Sequence, residues 1–558
     1  MIGGGLAGIT AAIALAESGN DVTLLEARPR LGGATTSFSR DGLVVDTGQH
    51  VFLRCCTAYR GLLDKLGMTA HAPLQPRFDV TVLTPQGAPA QGPAVKTGRS
   101  ARLRRARLPG PLHMLPALAR YPLLSFSERA LVSRAALAFR RVDPADPATD
   151  EIRLGDWLAA RGQDERARRA LWDLFTVSSL NIPGDDASLA LAATVVRTAL
   201  LGAAGAADIG VPALPLGELH GEAALRLLGR LGAGVRLGAK AAAIEAAPAE
   251  SVTSGEPRFR VRLARPDKGG AEDGGTGADD APGADARGGA RDGADDGVPA
   301  SGGVIDADGV VLAVPHDAAA RLVPPGAVPG AGPGTAGWAE LGAAPIVNVH
   351  VIYDRKVTAL PFAAAVDSPV QWVFDRTLIS GMEVSADRGQ YLAISLSAAA
   401  PYVDVPAAVI REEFVPALAD LFPAARDARV TEFFVTRERR ATFRQVPGSG
   451  RLRPPARTAL PGLVLAGAWT GTGWPDTMEG AVRSGLNAAI ALRDSAGPAG
   501  RGGARAPVAA GTGINPCPPE IVNGSDPARP AGPVQQLRNP ENPESDVNSS
   551  ASAREVRS

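Results

Sequence analysis

The chain has 558 residues and is 45% hydrophobic. That is more than one core accommodates, since single cores rarely grow past about 300 residues, so at least two packed units are expected. Its 58 Lys+Arg are matched by 58 Asp+Glu, and the formal net charge is zero, which leaves no overall field to recruit nucleic acid. Cys55 and Cys56 are adjacent and Cys517 lies in a polar stretch. They supply neither a disulfide framework nor a metal-ligand spacing, so no metal is expected, and the expected compartment is the reducing cytoplasm. No apolar run reaches the roughly 18 residues of a membrane span.

Gly3, Gly5 and Gly8 open the chain as G-x-G-x-x-G, followed by a helical pattern over 9–18, a strand over 21–25, and Glu26. This order of turn, helix, strand and acid is the layout of a doubly wound α/β dinucleotide fold. There the first glycine makes the turn, the second admits a pyrophosphate, and the third lets helix and sheet pack closely. Leu6 and Ala7 then stand with Gly8 at the helix N-terminus, where phosphate charge is favoured. Glu26, 18 residues past Gly8, can accept ribose hydroxyls and repels a 2′-phosphate, which selects FAD or NAD over NADP. Only Met1 and Ile2 precede Gly3. A first strand of about five residues would need more, so an upstream start is expected.

Further along, Ala27, Arg28, Arg30, Gly32 and Gly33 follow the acid, and Asp46-Thr47-Gly48-Gln49-His50-Val51 forms a polar loop. Arg28 and Arg30 either pair with phosphate charge or form a solvated basic loop. Cys55 and Cys56 read as small hydrophobes rather than a redox pair. Arg99, Arg102, Arg104, Arg105 and Arg107 precede the apolar run 108–124. This is either a peripheral membrane patch near 99–124 or an arginine cluster beside a buried helix. Strands over 258–263 and 304–314 read as a hairpin whose loop, 266–303, is almost entirely Gly, Ala, Asp, Arg and Pro; 496–558 is a polar tail. Neither can bury enough apolar surface to fold by itself. Trp372, Phe374, Phe433, Phe434 and Trp474 either line an apolar tunnel or fill a core. Near the other end a buried strand runs into Gly467, a glycine-rich turn and a helix containing Met478, Glu479 and Ala481. There Asp476 and Glu479 have capping-box spacing.

The run from Leu25 through Glu26, Gly32 and Gly33 resembles the second fingerprint of amine oxidases, phytoene desaturases and their relatives, where it lies along FAD. Narrower likeness comes from Gly48-Gln49-His50-Val51, Cys55-Cys56-Thr57-Ala58-Tyr59, Pro215-Leu216-Gly217-Glu218-Leu219-His220, Pro345-Ile346-Val347-Asn348-Val349-His350, Gln371-Trp372-Val373-Phe374-Asp375-Arg376 and Thr436-Arg437-Glu438-Arg439. In these the chain resembles the hydroxysqualene dehydroxylases. The resemblance implies a Rossmann-type FAD domain of the glutathione-reductase-like, amine oxidase branch, built from 1–80, 206–316 and 455–495. An inserted α+β substrate domain takes up 81–205 and 317–454.

It also implies a cofactor set of Gly3, Gly5, Leu6, Ala7, Gly8, Glu26, Ala27, Arg28, Gly32, Gly33, Gly48, Gln49, His50, Ala241, Gly467, Met478, Glu479 and Ala481. The implied substrate is an apolar isoprenoid, and an external electron donor reduces the flavin. Losing a hydroxyl as water requires a proton source. His50 is the first candidate, as its imidazole titrates near neutrality, the other reading being a structural histidine bonded to backbone. Asp375, Glu438 and Arg439 follow, each otherwise a member of a surface pair. A carotenoid-type desaturase and a non-catalytic prenyl-lipid binder are the other readings of the same pattern. Two positions depart from it: Ala34 stands where many amine oxidases carry arginine, and Ala241 where valine is usual, a contact made mainly through backbone.

Overall fold

The computed structural model describes residues 1–85, 100–247, 257–265, 303–329 and 337–495. The expected loop insertion (all but Gly303), the expected tail, Arg99 and Cys517 lie outside the described residues. A small parallel sheet organises the nucleotide-binding half. Thr23–Leu25 pairs with Gly234–Arg236, and Val310–Leu312 pairs with Leu463–Leu465. Between the two pairs sits Ile2, bridged in parallel to both Leu25 and Leu312. The short opening therefore still serves as the central strand: Ile2 N donates to Val311 O at 2.9 Å and Gly3 N to Leu25 O at 2.8 Å, while Leu25 and Ala313 donate back.

The first helix runs Leu6–Glu17 and begins three residues before the expected 9–18. Gly5 O accepts from Ile9 N at 2.9 Å, which recruits Leu6, Ala7 and Gly8 into the first turn. Its Ala- and Ile-rich body has strong helix formers and no polar face, so it is buried along most of its length against the last helix, Met478–Ser495. Gly485 permits that approach, because a Cβ there would collide with Ala7 O and reach within 2.9 Å of Thr10 Cβ.

The expected hairpin is half right. Phe259–Leu263 pairs antiparallel with Val304–Ala307 on one side and Ala241–Ala246 on the other. Val310–Leu312 instead leaves for the parallel sheet. Its three residues are all buried, whereas 304–307 alternate between exposed and half-buried, and a strand covered on both faces belongs in a parallel sheet.

The second half is a seven-stranded sheet in the order Val430–Thr442, Ala344–Tyr353, Gln390–Leu396, Trp372–Asp375, Phe362–Ala365, Asp79–Leu83, Ala101–Arg104. The boundary expected at residue 80 falls inside Asp79–Leu83, whose Val80 and Val82 pack into this half. Alternation along Ala344–Tyr353 splits the sheet's faces. Val347, Val349 and Val351 meet the helix Ala407–Leu421, while Asn348 and His350 point the other way, toward the hairpin of Ser37–Arg40 and Leu43–Asp46. Helices between 115 and 200 cover the far end of that face. Among the described residues no helix is long and apolar enough to cross a membrane.

Gly485→Leu forces the first and last helices apart and is expected to cost roughly 3 kcal/mol or more. Denaturant titration should show an earlier midpoint, and an unchanged midpoint would refute this account of the helix crossing.

Candidate cofactor and active site

The glycine turn sits at the carboxyl ends of the parallel strands, the usual ligand edge of such sheets. Gly5 bridges Gly32, and Gly32 N donates to Gly4 O at 2.9 Å. Gly33 has φ 59°, and a Cβ on it would stand 2.9 Å from Gly5 Cα. Two backbones thus approach to a distance no side chain allows. Above them the helix Leu6–Glu17 starts with no side-chain cap and no acid in its first turn. Its free amides, contributed by Leu6, Ala7 and Gly8, suit a phosphate. Glu26 is buried, and its Oε2 accepts from Gly4 N at 2.6 Å and its Oε1 from Arg28 N at 2.8 Å. Ala27 is exposed and Arg28 half-buried beside it. Ala239 N donates to Glu26 O at 2.8 Å, which draws the strand of Ala241 to the same place.

Gly467 follows the neighbouring strand, with φ 138°, and donates to Ser484 Oγ at 2.8 Å. The capping expectation needs correcting. Thr477 Oγ1 accepts from Gly480 N at 3.2 Å, while Asp476 is turned away, accepting from Phe443 N at 2.9 Å, with its carboxyl pushed up to about 6 by burial. Glu479 does not cap its own helix either. At 1% exposure it accepts from Ala58 N at 3.1 Å, Tyr59 N at 2.7 Å and Arg483 Nε at 2.8 Å, serving the otherwise uncapped helix Thr57–Leu66. The turn itself is gathered by Arg453, a residue the sequence did not single out. Its guanidinium donates to Ala468 O, Thr470 O and Trp474 O at 2.9, 2.7 and 2.8 Å, and burial lowers its pKa to about 10.

The polar loop lies between these anchors and the large sheet. Asp46 is buried, accepts from Ser37 Oγ at 2.6 Å and Leu216 N at 2.9 Å, and is paired with the buried Arg376. Thr47 Oγ1 donates to Ala34 O at 2.6 Å, and Asn348 Nδ2 donates to Thr47 O at 3.2 Å. Three histidines surround the loop, all with pKa lowered by burial first. His220, to about 4, bonds Tyr59 Oη at 2.8 Å and Thr35 O at 3.3 Å; His350, to about 3, bonds Tyr391 Oη at 2.8 Å and Thr436 Oγ1 at 3.0 Å. His50 differs: it is half-buried, and its Nδ1 engages no side chain, with the Gly48 backbone against the ring instead. Desolvation lowers its pKa most, the Gly48 backbone beside the ring and then Asp46 oppose that, and Arg376 adds to it.

Arg30 Nε, Thr36 Oγ1, Gln49 Oε1, His50 Nδ1 and Asn348 Oδ1 are buried polar atoms with no hydrogen-bond partner among the described residues. Buried polar groups are normally satisfied. These five lie on segments joined to one another and to the glycine cradle through the Gly33–Gly5, Thr47–Ala34 and Asn348–Thr47 contacts. A dinucleotide rich in oxygen and nitrogen fits such a line.

Other candidates fall elsewhere. Asp375 is occupied by Thr377 and Gln390, and Arg439 pairs with Asp404 at the surface. Glu438 is half-buried and its carboxyl is raised by burial. The Cys56 thiol is raised by its bond to Cys55 and then by burial, which makes it a poor nucleophile. Trp372, Phe374 and Phe434 share the face that carries His350, whereas Phe433 packs on the opposite face and Trp474 lies under Arg483. The five aromatics therefore do not form one lining.

Flavin containing amine oxidoreductases share a sequence pattern that matches residues 6–250 and 291–492, well over half of the chain. The chain belongs to this family. Its cofactor is FAD, and it is an oxidoreductase. It is 28% identical to a hydroxysqualene dehydroxylase of Sinorhizobium fredii over 89% of the chain and 98% of that protein. It is also 24% identical to a zeta-carotene desaturase of Zea mays over 87% and 81%. An oxidoreductase structure from Methanosarcina mazei superposes with a TM-score of 0.58 at 16% identity, covering 87% of the chain and 98% of that structure.

Asp46→Ala leaves Arg376 buried without a counter-charge and is expected to cost about 3–5 kcal/mol. Urea denaturation should register it, and Asp46→Ala combined with Arg376→Met should recover most of the loss. Equal midpoints for Asp46→Ala and the parent would refute the pair's role.

Proposed function

We propose that the chain removes the hydroxyl of hydroxysqualene reductively to give squalene. The observation that carries the reading is the match to hydroxysqualene dehydroxylase along 98% of that relative. His50, whose Nδ1 binds no side chain, supports it chemically. In the proposed reaction the carbon–oxygen bond would break, a proton would carry the oxygen off as water, and the new carbon–hydrogen bond would take the hydride that FAD, when bound and reduced, would supply. An external donor then replaces the two electrons.

For the cofactor we assign the Leu6, Ala7 and Gly8 amides, with Gly3, Gly5, Gly32 and Gly33, to the pyrophosphate, and Glu26, Ala27 and Arg28 to the adenosine side. Ala241 backs the adenine through its backbone. Gly48, Gln49, His50, Gly467, Met478 and Ala481 belong to the flavin side. Glu479 belongs there only as the residue that fixes the helix, since both its oxygens are engaged.

His50 is assigned as the proton source. Hydroxide is a poor leaving group, and a buried imidazolium is a stronger acid than a solvated one. Asp46 stabilises its charged form and Arg376 limits it. The apolar face of Trp372 and Phe374 keeps water from developing positive charge at carbon.

A second reading, a desaturase, is favoured by the zeta-carotene desaturase match. It needs no proton for a departing hydroxyl. Anaerobic incubation of the flavin-loaded protein with hydroxysqualene and a chemical reductant, followed by mass spectrometry, separates the two. Squalene formed in step with flavin reoxidation supports the dehydroxylase, whereas unchanged substrate alongside carotenoid desaturation supports the second reading.

Because burial lowers the His50 pKa, its protonated fraction grows only as pH falls below the ordinary value near 6.5. The rate should therefore climb toward acid and decline as pH rises through the depressed value. His50→Gln should lower kcat by roughly 10²–10⁴ and flatten that limb. A pH–rate profile unchanged in the variant would remove His50 from the role. Gly33→Val should purify with much less bound flavin, read as the ratio of visible to ultraviolet absorbance, because its side chain enters the Gly5 approach. Full occupancy would contradict the pyrophosphate assignment.

A further inference from the structure

The segment after the strand Ala101–Arg104 doubles back tightly, with Ala106 N donating to His113 O at 2.8 Å, which sets Arg107 and Leu108 beside Leu112. A short helical stretch, Leu112–Met114 continuing into Leu115–Ala119, follows. Its two sides are unlike. His113 is fully buried and Met114 and Leu118 pack against the core, whereas Leu112 and Leu115 are 46% and 39% exposed and Ala119 continues their face. Leu108 is 41% exposed, and Phe126, first residue of the helix Phe126–Ala138, is 86% exposed. Phe126 is held outward by the Ser125–Glu128 capping box, and the two helices are tied by Arg129, which donates to Ala119 O at 2.7 Å and Leu124 O at 2.9 Å.

Around this apolar face arginine predominates, and the carboxylates there, Asp79 and Glu128, are both paired. Arg77, Arg104, Arg105 and Arg107 are close enough that Arg104, foremost, then Arg107 and Arg105, hold the Arg77 pKa below its usual range. Arg104 shares a single carboxylate, Asp79, with Arg102. Arg77, Arg107 and Arg120 form no ion pair among the described residues.

We propose that the face of Leu108, Leu112, Leu115 and Phe126, ringed by Arg77, Arg104, Arg107 and Arg120, docks on an anionic lipid bilayer. The ring matches lipid phosphates, and the projecting aliphatic and aromatic side chains reach the depth of the acyl boundary, where a nucleic acid or an acidic protein surface offers them nothing. Each basic residue near such a surface strengthens partitioning by roughly fivefold. The inference extends the reading that the substrate is a bilayer-resident isoprenoid, but lipid binding is tested without substrate, so either can fail alone.

The test is flotation of the flavin-loaded full chain with phosphatidylglycerol vesicles and with phosphatidylcholine vesicles. The parent should float with phosphatidylglycerol and be released by salt. Leu112→Asp with Leu115→Asp should cut partitioning at least tenfold, and Arg104→Gln with Arg107→Gln should cut it about as much and weaken the salt dependence, while flavin absorbance and turnover of detergent-dispersed substrate stay unchanged. A parent that remains lipid-free, or an aspartate variant that floats equally, overturns the proposal. Equal flotation on both lipids overturns its electrostatic half. A lipid-free dimer in sedimentation that the aspartate pair dissolves assigns the face to a second copy instead.

Discussion

Glu479 accepts from the first amides of a helix more than 400 residues earlier in the chain and from its own Arg483, while almost wholly removed from water. A carboxylate so placed is tolerable only because charged and dipolar donors replace its hydration. The consequence is positional. The last helix is fastened to Thr57–Leu66 by this group and pressed on Leu6–Glu17 through Gly485, so the two ends of the chain close around one parallel sheet. Gly3 and Gly467 then follow two positions of that sheet that flank Val310–Leu312. Without the closure the glycine cradle would have only one wall.

Asp46 and Arg376 perform a similar office between the nucleotide-binding half and the seven-stranded sheet. Asp46 also takes Ser37 and the Leu216 amide, so the hairpin, the sheet and the segment before His220 converge on one carboxylate. That convergence brings three histidines into a poorly hydrated space where burial keeps each of them largely neutral. Two spend their ring nitrogens on tyrosine, threonine or backbone partners. His50 alone of the three binds no side chain through its Nδ1 and meets only the neighbouring Gly48 backbone, which is why the chemistry is assigned to it.

Much of the fold was legible because its signals are local. The spacing of Gly3, Gly5, Gly8 and Glu26 encodes a turn, a helix and a strand within a single stretch, whereas 304–314 reads as one strand in the sequence and divides into 304–307 and 310–312 only once burial is known. The polar loop at 46–50 was also legible as a candidate. What the sequence could not supply were partnerships across long separations. Asp476 and Glu479 had capping spacing, yet Thr477 caps the helix and Glu479 serves another. The role of Arg453 depends on three carbonyls that come together only when the turn folds, and carbonyls leave no mark in a sequence. Arg376 belongs to a stretch the sequence marks only by resemblance, and its partner Asp46 is 330 residues away. Phe433 and Phe434 are neighbours in sequence and therefore face opposite sides of the sheet, which period-2 geometry could have settled had the strand's boundaries been known.

The proposed docking face is bound to this same framework. Asp208, buried completely, accepts from Phe78 N at 2.6 Å and from Arg105 Nε at 2.6 Å, and it also takes Arg54 Nε at 3.2 Å. Arg105 belongs to the turn that carries Arg107 and Leu108, while Arg54 lies just before Thr57–Leu66, the helix that Glu479 caps. A loop that merely carried basic residues would have no need of a buried carboxylate at its root, since solvated arginines are content in water. Here one arginine of the cluster is withdrawn and committed to Asp208, leaving the others outside. The apolar face is thereby held in fixed orientation to the helix that closes the cofactor site. A membrane held at that face would therefore stand at a set angle to the nucleotide-binding half.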